Sequence, residues 1–280
     1  MQIKFTKMQA LGNDYIYVNC FRQKPNKLNL SELAIKICNR HFGVGSDGLI
    51  LVAPGKTHRF RMIFYNPDGS EAEMCGNGIR CFARFLYDQG LSKSRIQDIE
   101  TKAGIIHTEI LQTGNTFLIC TDIGKPILER KMIPMKGKGE TCINESLNLD
   151  GRKVTITGLS LGNPHTLIFV KEFSPDWRGI GREVENHPLF PRRTNVEFVK
   201  VLNKRKIQLK IWERGVGETL ASGTGASAAV VAGVLNHQLD RKVKAIFDKG
   251  ELTIEWKKED DHLYITGPAI SVFSGIYRYR

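Results

Sequence analysis

A chain of 280 residues has room for one large domain or two modest ones, with a hydrophobic core that needs no disulfide or metal staple. Its 41% hydrophobic and 25% charged content sits at the globular norm and excludes a disordered or fibrous chain. The net charge of +12 favours anionic partners, but the densest basic groups, Lys204-Arg205-Lys206 and Arg192-Arg193, carry no interleaved aromatics, so a solvated basic surface is expected and no nucleic-acid partner.

From the N-terminus, Ile3–Phe5 and Tyr15–Val18 read as strands around a Gly12-Asn13-Asp14 loop. Ser31 to Asn39 reads as a helix with Ser31 as N-cap. Leu49–Val52 and Phe60–Tyr65 are strand-like, and Ile79–Tyr87 repeats apolar residues at helical spacing, with Gly90 as its stop. Ile105–Cys120 has strand character. Lys125–Gly139, with Pro126, Pro134 and two glycines, reads as an inter-domain connection. The second half is patterned like the first. It has strands near Lys153–Thr157, Thr166–Val170, Asn195–Val199 and Gln208–Trp212, a helix over Ala226–Leu239, and closing strands at Leu252–Trp256 and Leu263–Thr266.

The longest apolar stretch, Ala226–Leu235, is far shorter than the roughly 20 residues of a bilayer span. The opening Met1-Gln2-Ile3-Lys4-Phe5 lacks the apolar region of a signal peptide, so a soluble cytoplasmic protein with no membrane partner is expected. The six cysteines, at 20, 38, 75, 81, 120 and 142, do not form a disulfide framework in a long chain without an export signal. No C-x-x-C or H-E-x-x-H is present, and no metal site is expected.

The informative feature is internal. Met74-Cys75-Gly76-Asn77-Gly78-Ile79 lies over Ala221-Ser222-Gly223-Thr224-Gly225-Ala226 at an offset of 147 residues. Glu71 and Glu218 stand four residues ahead of Cys75 and Ser222, an apolar helix follows each corner, and both halves carry a Gly-Asn loop, Gly12-Asn13 and Gly162-Asn163. This pattern points to a duplicated domain.

Each corner places a small side chain before Gly-x-Gly and the start of a helix. Helix N-termini present unsatisfied N–H groups that favour a carboxylate or phosphate, and they lower a cysteine's pKa. Cys75 is therefore a candidate base or nucleophile, a buried inert thiol being the alternative. If two such corners flanked one substrate carbon, one could remove a Cα proton while the other returned one on the opposite face, with N–H groups stabilising the charge and no cofactor needed. Other candidates are weaker. Gly43-Val44-Gly45-Ser46-Asp47-Gly48 matches G-x-G-x-x-G but follows a helical segment, where a dinucleotide fingerprint follows a strand. His165 and His187, each beside a proline, are expected in structural polar roles.

Long blocks of the chain resemble the diaminopimelate epimerase family. They are Lys7-Met8-x-x-Leu11-Gly12-Asn13-Asp14-Tyr15, Gly43-Val44-Gly45-Ser46-Asp47-Gly48-Leu49, Tyr65 through Cys81, Gly162-Asn163-Pro164-His165, Glu185 through Pro191 with Thr194-Asn195-Val196, and Trp212 through Ala221. The resemblance runs in order over essentially the whole chain. It implies an α+β fold of two pseudo-symmetric domains, each a mostly antiparallel sheet around a central helix, with the active site in the cleft between them. The boundaries it suggests are 1–122 plus about 268–280 for the domain carrying Cys75, and 123–267 for the domain carrying Ser222. It implies a homodimer, no cofactor, and conversion of LL- to meso-diaminopimelate for lysine and peptidoglycan synthesis. Cys75 matches a catalytic cysteine. Asn13, Asn66, Asn163, Asn195, Glu213 and Arg214 match substrate-binding positions, and Gly76-Asn77 and Gly223-Thr224 match the turns that hold the reacting carboxylate.

One departure matters. The family pattern has a second catalytic cysteine where this chain has Ser222, and a helix N-terminus worth about 0.3–2 kcal/mol does not make a serine an alkoxide at pH 7. Three readings follow: a diaminopimelate epimerase with an engineered Cys→Ser change, impaired in turnover; a natural relative doing one-base chemistry such as β-elimination or racemisation of another amino acid; or a non-catalytic amino-acid binder.

Overall fold

The computed structural model describes residues 1–25, 28–114 and 116–279. The chain forms two compact units, Met1–Asp122 with Thr266–Arg280, and Ile123–Ile265.

In the first unit, β1 (Gln2–Ala10) and β2 (Asn13–Asn19) form an antiparallel hairpin that pairs Ala10 with Asn13. Helix α1 (Leu30–Cys38) then carries the chain to β3 (Leu49–Pro54), which lies parallel to β2. Next come β4 (Phe60–Tyr65), the two-residue β5 (Glu71–Ala72) and helix α2 (Gly76–Asp88). The strands β6 (Ile96–Thr101), β7 (Gly104–Gln112) and β8 (Phe117–Asp122) follow, β6 parallel to β4. The last strand of the chain, Leu263–Arg278, pairs with both β1 and β8 and closes the sheet into a barrel. Helix α2 runs inside it against β1, β2, β7 and β8. Ile79, Phe82, Ala83, Phe85 and Leu86 meet Met8, Tyr17, Ile50, Phe64 and Ile119 in one core.

The second unit repeats the order. After β9 (Cys142–Leu149), the hairpin β10 (Arg152–Ser160) and β11 (Pro164–Val170) leads through helix α3 (Trp177–Glu185) to β12 (Asn195–Asn203), parallel to β11. β13 (Lys206–Glu213), the short β14 (Gly217–Thr219), helix α4 (Gly223–Leu235), β15 (Lys242–Phe247) and β16 (Gly250–Trp256) follow, and β17 is Leu263–Arg278. Again one strand pair is parallel across the helical crossover, β13 with β15. Helix α4 packs against β10, β11, β12, β15 and β16, so its residues from Gly225 to Gly233 are all buried. Its sequence, small and apolar on every side, suits a helix wrapped all round rather than one with a wet face. The expected α+β fold of two similar halves, each a sheet around a central helix, is what the chain adopts.

Local readings need correction at several points. The N-cap of α1 is Asn29, not Ser31: its side chain accepts from Glu32 N at 3.3 Å and the helix starts at Leu30. Lys125–Gly139 is not a connection. It belongs to the second unit, where Ile127 bridges to Ser160, a single 3-10 turn covers Arg130–Met132, and Arg130, Ile133 and Met135 are buried. The Arg130 guanidinium organises this segment by donating to the carbonyls of Lys136 and Thr141 and by pairing with Glu145. Both central helices begin three residues earlier than their apolar repeat, because their first turns are glycine-rich. β17 runs on through Pro268, although Gly267-Pro268 reads as a stop. Helix α3, with Gly179 and Gly181 in its interior, and the polar strand β9 left no readable period.

Asn29→Ala should cost about 0.5–2 kcal/mol in chemical denaturation, the ordinary cost of a lost cap. Ser31→Ala should stay within about 0.5 kcal/mol, as surface changes usually do.

Candidate active site

The first corner is built at the start of α2. Cys75 is its N-cap, with extended backbone at φ −141° and ψ 116°, and Sγ accepts from Gly78 N at 3.4 Å. The hairpin alternation of β2 points Tyr15 and Tyr17 inward at this turn. Tyr15 Oη lies 2.9 Å from Cys75 Sγ, and Tyr17 Oη donates to the Gly78 carbonyl at 2.7 Å. Asn77 Nδ2 donates to Asn13 Oδ1 at 2.6 Å, so Asn13 at the β1–β2 turn and Asn77 in the first helical turn are held together. Asn13 Nδ2 donates to Asp47 at 3.3 Å, and Asp14 is gripped by Lys7 at 2.7 Å and Arg40 at 2.8 Å. A Cβ added to Gly76 would meet nothing within 4 Å, so open space lies in front of this helix start.

Under the corner is a buried cation. Arg80 is fully buried, donating to Asn77 Oδ1 at 2.5 Å and to the Gly76 carbonyl at 3.2 Å. It has no carboxylate partner and its Nε has no acceptor among the described residues. Burial pushes the Cys75 thiol above its ordinary value; the Tyr15 hydroxyl, the Gly78 and Asn77 N–H groups and the Arg80 charge all pull it back. The expected lowering at a helix N-terminus is thus present but outweighed. Desolvation of the charged form wins in the ligand-free protein, and Cys75 rests as a thiol. Asn66 is not bonded to this group: it follows β4, and its amide donates to Ser70 Oγ at 3.0 Å within its own turn.

The second corner has the same backbone. Ser222 is the N-cap of α4, with φ −133° and ψ 122°; its Oγ accepts from Gly225 N at 3.1 Å and lies 3.4 Å from Thr224 Oγ1. No titratable side chain bonds the Ser222 hydroxyl among the described residues. Behind it, His165 and Glu197 are both completely buried, with His165 Nδ1 2.7 Å from Glu197 Oε1 and Nε2 2.9 Å from Asn163 Oδ1. His165 thus lies in a strand, not the loop its neighbouring proline suggested. Gly225 leaves little room: a Cβ there would sit 2.7 Å from Glu197 Oε1, whose buried carboxyl is held by His165.

Asn195 commits its amide to the chain, donating to the Pro164 carbonyl at 2.8 Å and accepting from Arg214 N at 2.9 Å. Glu213 accepts from Thr219 Oγ1 at 2.8 Å; burial raises its carboxyl pKa, the Thr219 bond opposes that, and nearby Glu197 adds to it. Arg214 is exposed, its guanidinium making one hydrogen bond, to the Arg192 carbonyl at 3.3 Å, and no ion pair among the described residues. Buried Glu185 fixes the following turn, accepting from Gly215 N at 2.8 Å and Trp212 Nε1 at 2.7 Å.

The structure therefore gathers Asn13, Cys75, Gly76 and Asn77 in one unit. In the other, Ser222, Gly223 and Thr224 form the α4 start, Asn163 is linked to it through His165 and Glu197, Glu213 lies near Glu197, and Asn195 is tied to the Arg214 backbone. Sequence reasoning missed Tyr15, Arg80, Glu197 and Glu185. Tyr15 carried a signal: it shares a face of β2 with Tyr17. The buried charges carried none.

A model of the diaminopimelate epimerase family matches residues 5–129 and 158–272. The chain is 49% identical over 278 residues to the diaminopimelate epimerase of Pelotomaculum thermopropionicum, covering 99% of each chain. It is also 49% identical to that of Moorella thermoacetica, over 97% of this chain and 98% of the relative. Its fold is shared with a phenazine biosynthesis protein of the PhzF family from Bacillus anthracis, at a TM-score of 0.71, 17% identity and complete coverage of both chains. The two matched corners, the two wrapped helices and this full-length likeness together place the chain in the diaminopimelate epimerase family.

Proposed function

We propose that the chain works on diaminopimelate as a cofactor-independent epimerase, linking the LL and meso forms through loss and return of the Cα proton, and that Ser222 slows inversion. The observation that carries this is the pair of N-caps, Cys75 and Ser222, at the starts of two alike buried helices within a chain 49% identical to named diaminopimelate epimerases. In this reading Cys75 first gives its own proton to solvent; the resulting thiolate takes the Cα proton, and the C–H electron pair is left on Cα and its carboxylate. N–H groups of the Gly76-Asn77 and Gly223-Thr224 turns hold that charge. Arg214, with no resident ion pair, grips the distal carboxylate beside Glu213, while Asn13, Asn66, Asn163 and Asn195 order the zwitterion and the loops around it. We also propose that the chain acts as a homodimer, in the cytoplasm, supplying lysine and peptidoglycan synthesis.

Inversion needs a second acid. A serine hydroxyl with no bonded base is too weak for that task. The fold and ligand binding survive, because Ser222 caps its helix as Cys75 does. Three measurements test this reading. First, Cys75 should be alkylated faster than buried Cys38 and Cys81, whose thiols burial pushes up to about 11 and about 12. Because the Cys75 pKa is itself raised, its rate should climb with pH past its ordinary value of 9.0 without an earlier plateau, and diaminopimelate should protect it. Equal labelling of all cysteines, with no protection, contradicts the assignment.

Second, Arg214→Lys keeps the charge but loses the planar fork. Calorimetry should show diaminopimelate binding weakened by about 1.5–3 kcal/mol, the worth of a charged hydrogen bond. Unchanged affinity means Arg214 does not hold the substrate.

Third, Cα hydrogen–deuterium exchange should be measurable on one stereoisomer with very slow inversion. Ser222→Cys should raise inversion by about 10²–10⁴-fold or more. Fast inversion by the chain itself removes the role for a second thiol. Failure of Ser222→Cys to raise the rate favours one-base chemistry on another substrate.

A further inference from the structure

The hydroxyl of Tyr15 has one hydrogen-bond partner among the described residues, the sulfur of Cys75 at 2.9 Å. Tyr15 is 3% exposed, and its ring is locked edge-on against Phe64, with centroids 5.9 Å apart and planes at 85°. The hydroxyl cannot swing away to water, and a buried phenol needs a partner. While Cys75 is a thiol, either atom can donate. Once the sulfur has lost its proton it can only accept, and the bond becomes the stronger, charge-assisted kind.

The other unit lacks this pairing. Two residues after its Gly-Asn asparagine stands His165, which turns to Glu197 and Asn163 instead of to the helix cap. At the serine corner the cap meets only the hydroxyl of Thr224 in its own helix, so among the described residues a hydroxyl reaching the cap from the strand after the Gly-Asn loop is a feature of the cysteine corner. We propose that Tyr15 is a positioning residue whose hydroxyl donates to Cys75 Sγ, favouring the anionic sulfur and fixing its direction. This rests on the reading of Cys75 as the base.

The other groups facing this sulfur are few. On α2 they are the Arg80 guanidinium, which also favours the anion, the Asn77 and Gly78 N–H groups, and the neutral Cys81 thiol; on β2, Tyr17; and before β3, Asp47, which acts on Tyr15. Burial and the neighbouring sulfur push the Tyr15 phenol well above its ordinary value, so it keeps its proton when Cys75 gives one up.

The test is the pH dependence of Cys75 alkylation by iodoacetamide in the full chain, followed by peptide mapping. Tyr15→Phe keeps the ring and removes the oxygen. Its midpoint should rise by about one pH unit, with alkylation below the midpoint about tenfold slower, as for loss of one hydrogen bond to a charged group. Site-specific replacement of Tyr15 by a fluorinated tyrosine, a stronger donor, should move the midpoint the other way. A merely structural role predicts no such opposed pair of shifts. The fluorinated protein carries the test if Tyr15→Phe fails to fold. An unmoved midpoint overturns the proposal. Cα exchange of diaminopimelate, measured in parallel, separates the two claims. Exchange with an unmoved midpoint defeats only the role of Tyr15. Shifted midpoints with no exchange, in the chain or in its Ser222→Cys variant, defeat the epimerase reading and leave the Tyr15 pairing standing.

Discussion

Everything in each unit depends on burying a whole helix inside a sheet. α2 and α4 have strands along their length, and the sheets around them are mixed because each helical crossover must return the chain parallel to a strand it left. A helix so enclosed cannot use its flanks for chemistry. Its N-terminal cap, where backbone N–H groups lack intrahelical partners, is the place where polar function costs least. Cys75 and Ser222 occupy those caps with backbone angles within 8° of each other in φ and 6° in ψ.

Burial, and the few polar groups buried with each cap, set its chemistry. In the first unit a guanidinium with no carboxylate is buried under the thiol, and desolvation lowers its own pKa. An unpaired buried cation is costly, and it lowers the cost of a negative charge on the sulfur above it. In the second unit the group beneath the helix start is Glu197, hydrogen-bonded to His165 and with one oxygen unpartnered among the described residues. The halves share a backbone and differ in the side chains beneath the helix start, a guanidinium in one and a carboxyl–imidazole pair in the other.

Much of this was legible in the sequence, for physical reasons. Glycine-rich turns followed by apolar helices mark both corners, and a glycine suits the close approach of Gly225 to Glu197. Strand alternation marked the hairpins. What stayed hidden depends on three-dimensional pairing: the Tyr15–Cys75 contact, the buried Arg80, and the capture of Lys125–Gly139 by the Arg130 guanidinium. The raised Cys75 pKa was hidden for the same reason. A helix start is a local signal, whereas desolvation is set by strands distant in sequence.

The strand β17 is shared. Its residues Leu263–Ile265 belong to the second unit, and from Thr266 onward it lies in the first, pairing Ile270 with Gln9 through Arg278 with Gln2. A ribosome makes the first 122 residues of the N-terminal unit long before the strand that completes its sheet. The second unit has all its strands while its neighbour still shows the bare edges of β1 and β8. Folding of the first unit thus waits on pairings more than 250 residues apart in the chain, among the slowest contacts to close. During that interval the edges of β1 and β8 are open to pairing with a foreign strand.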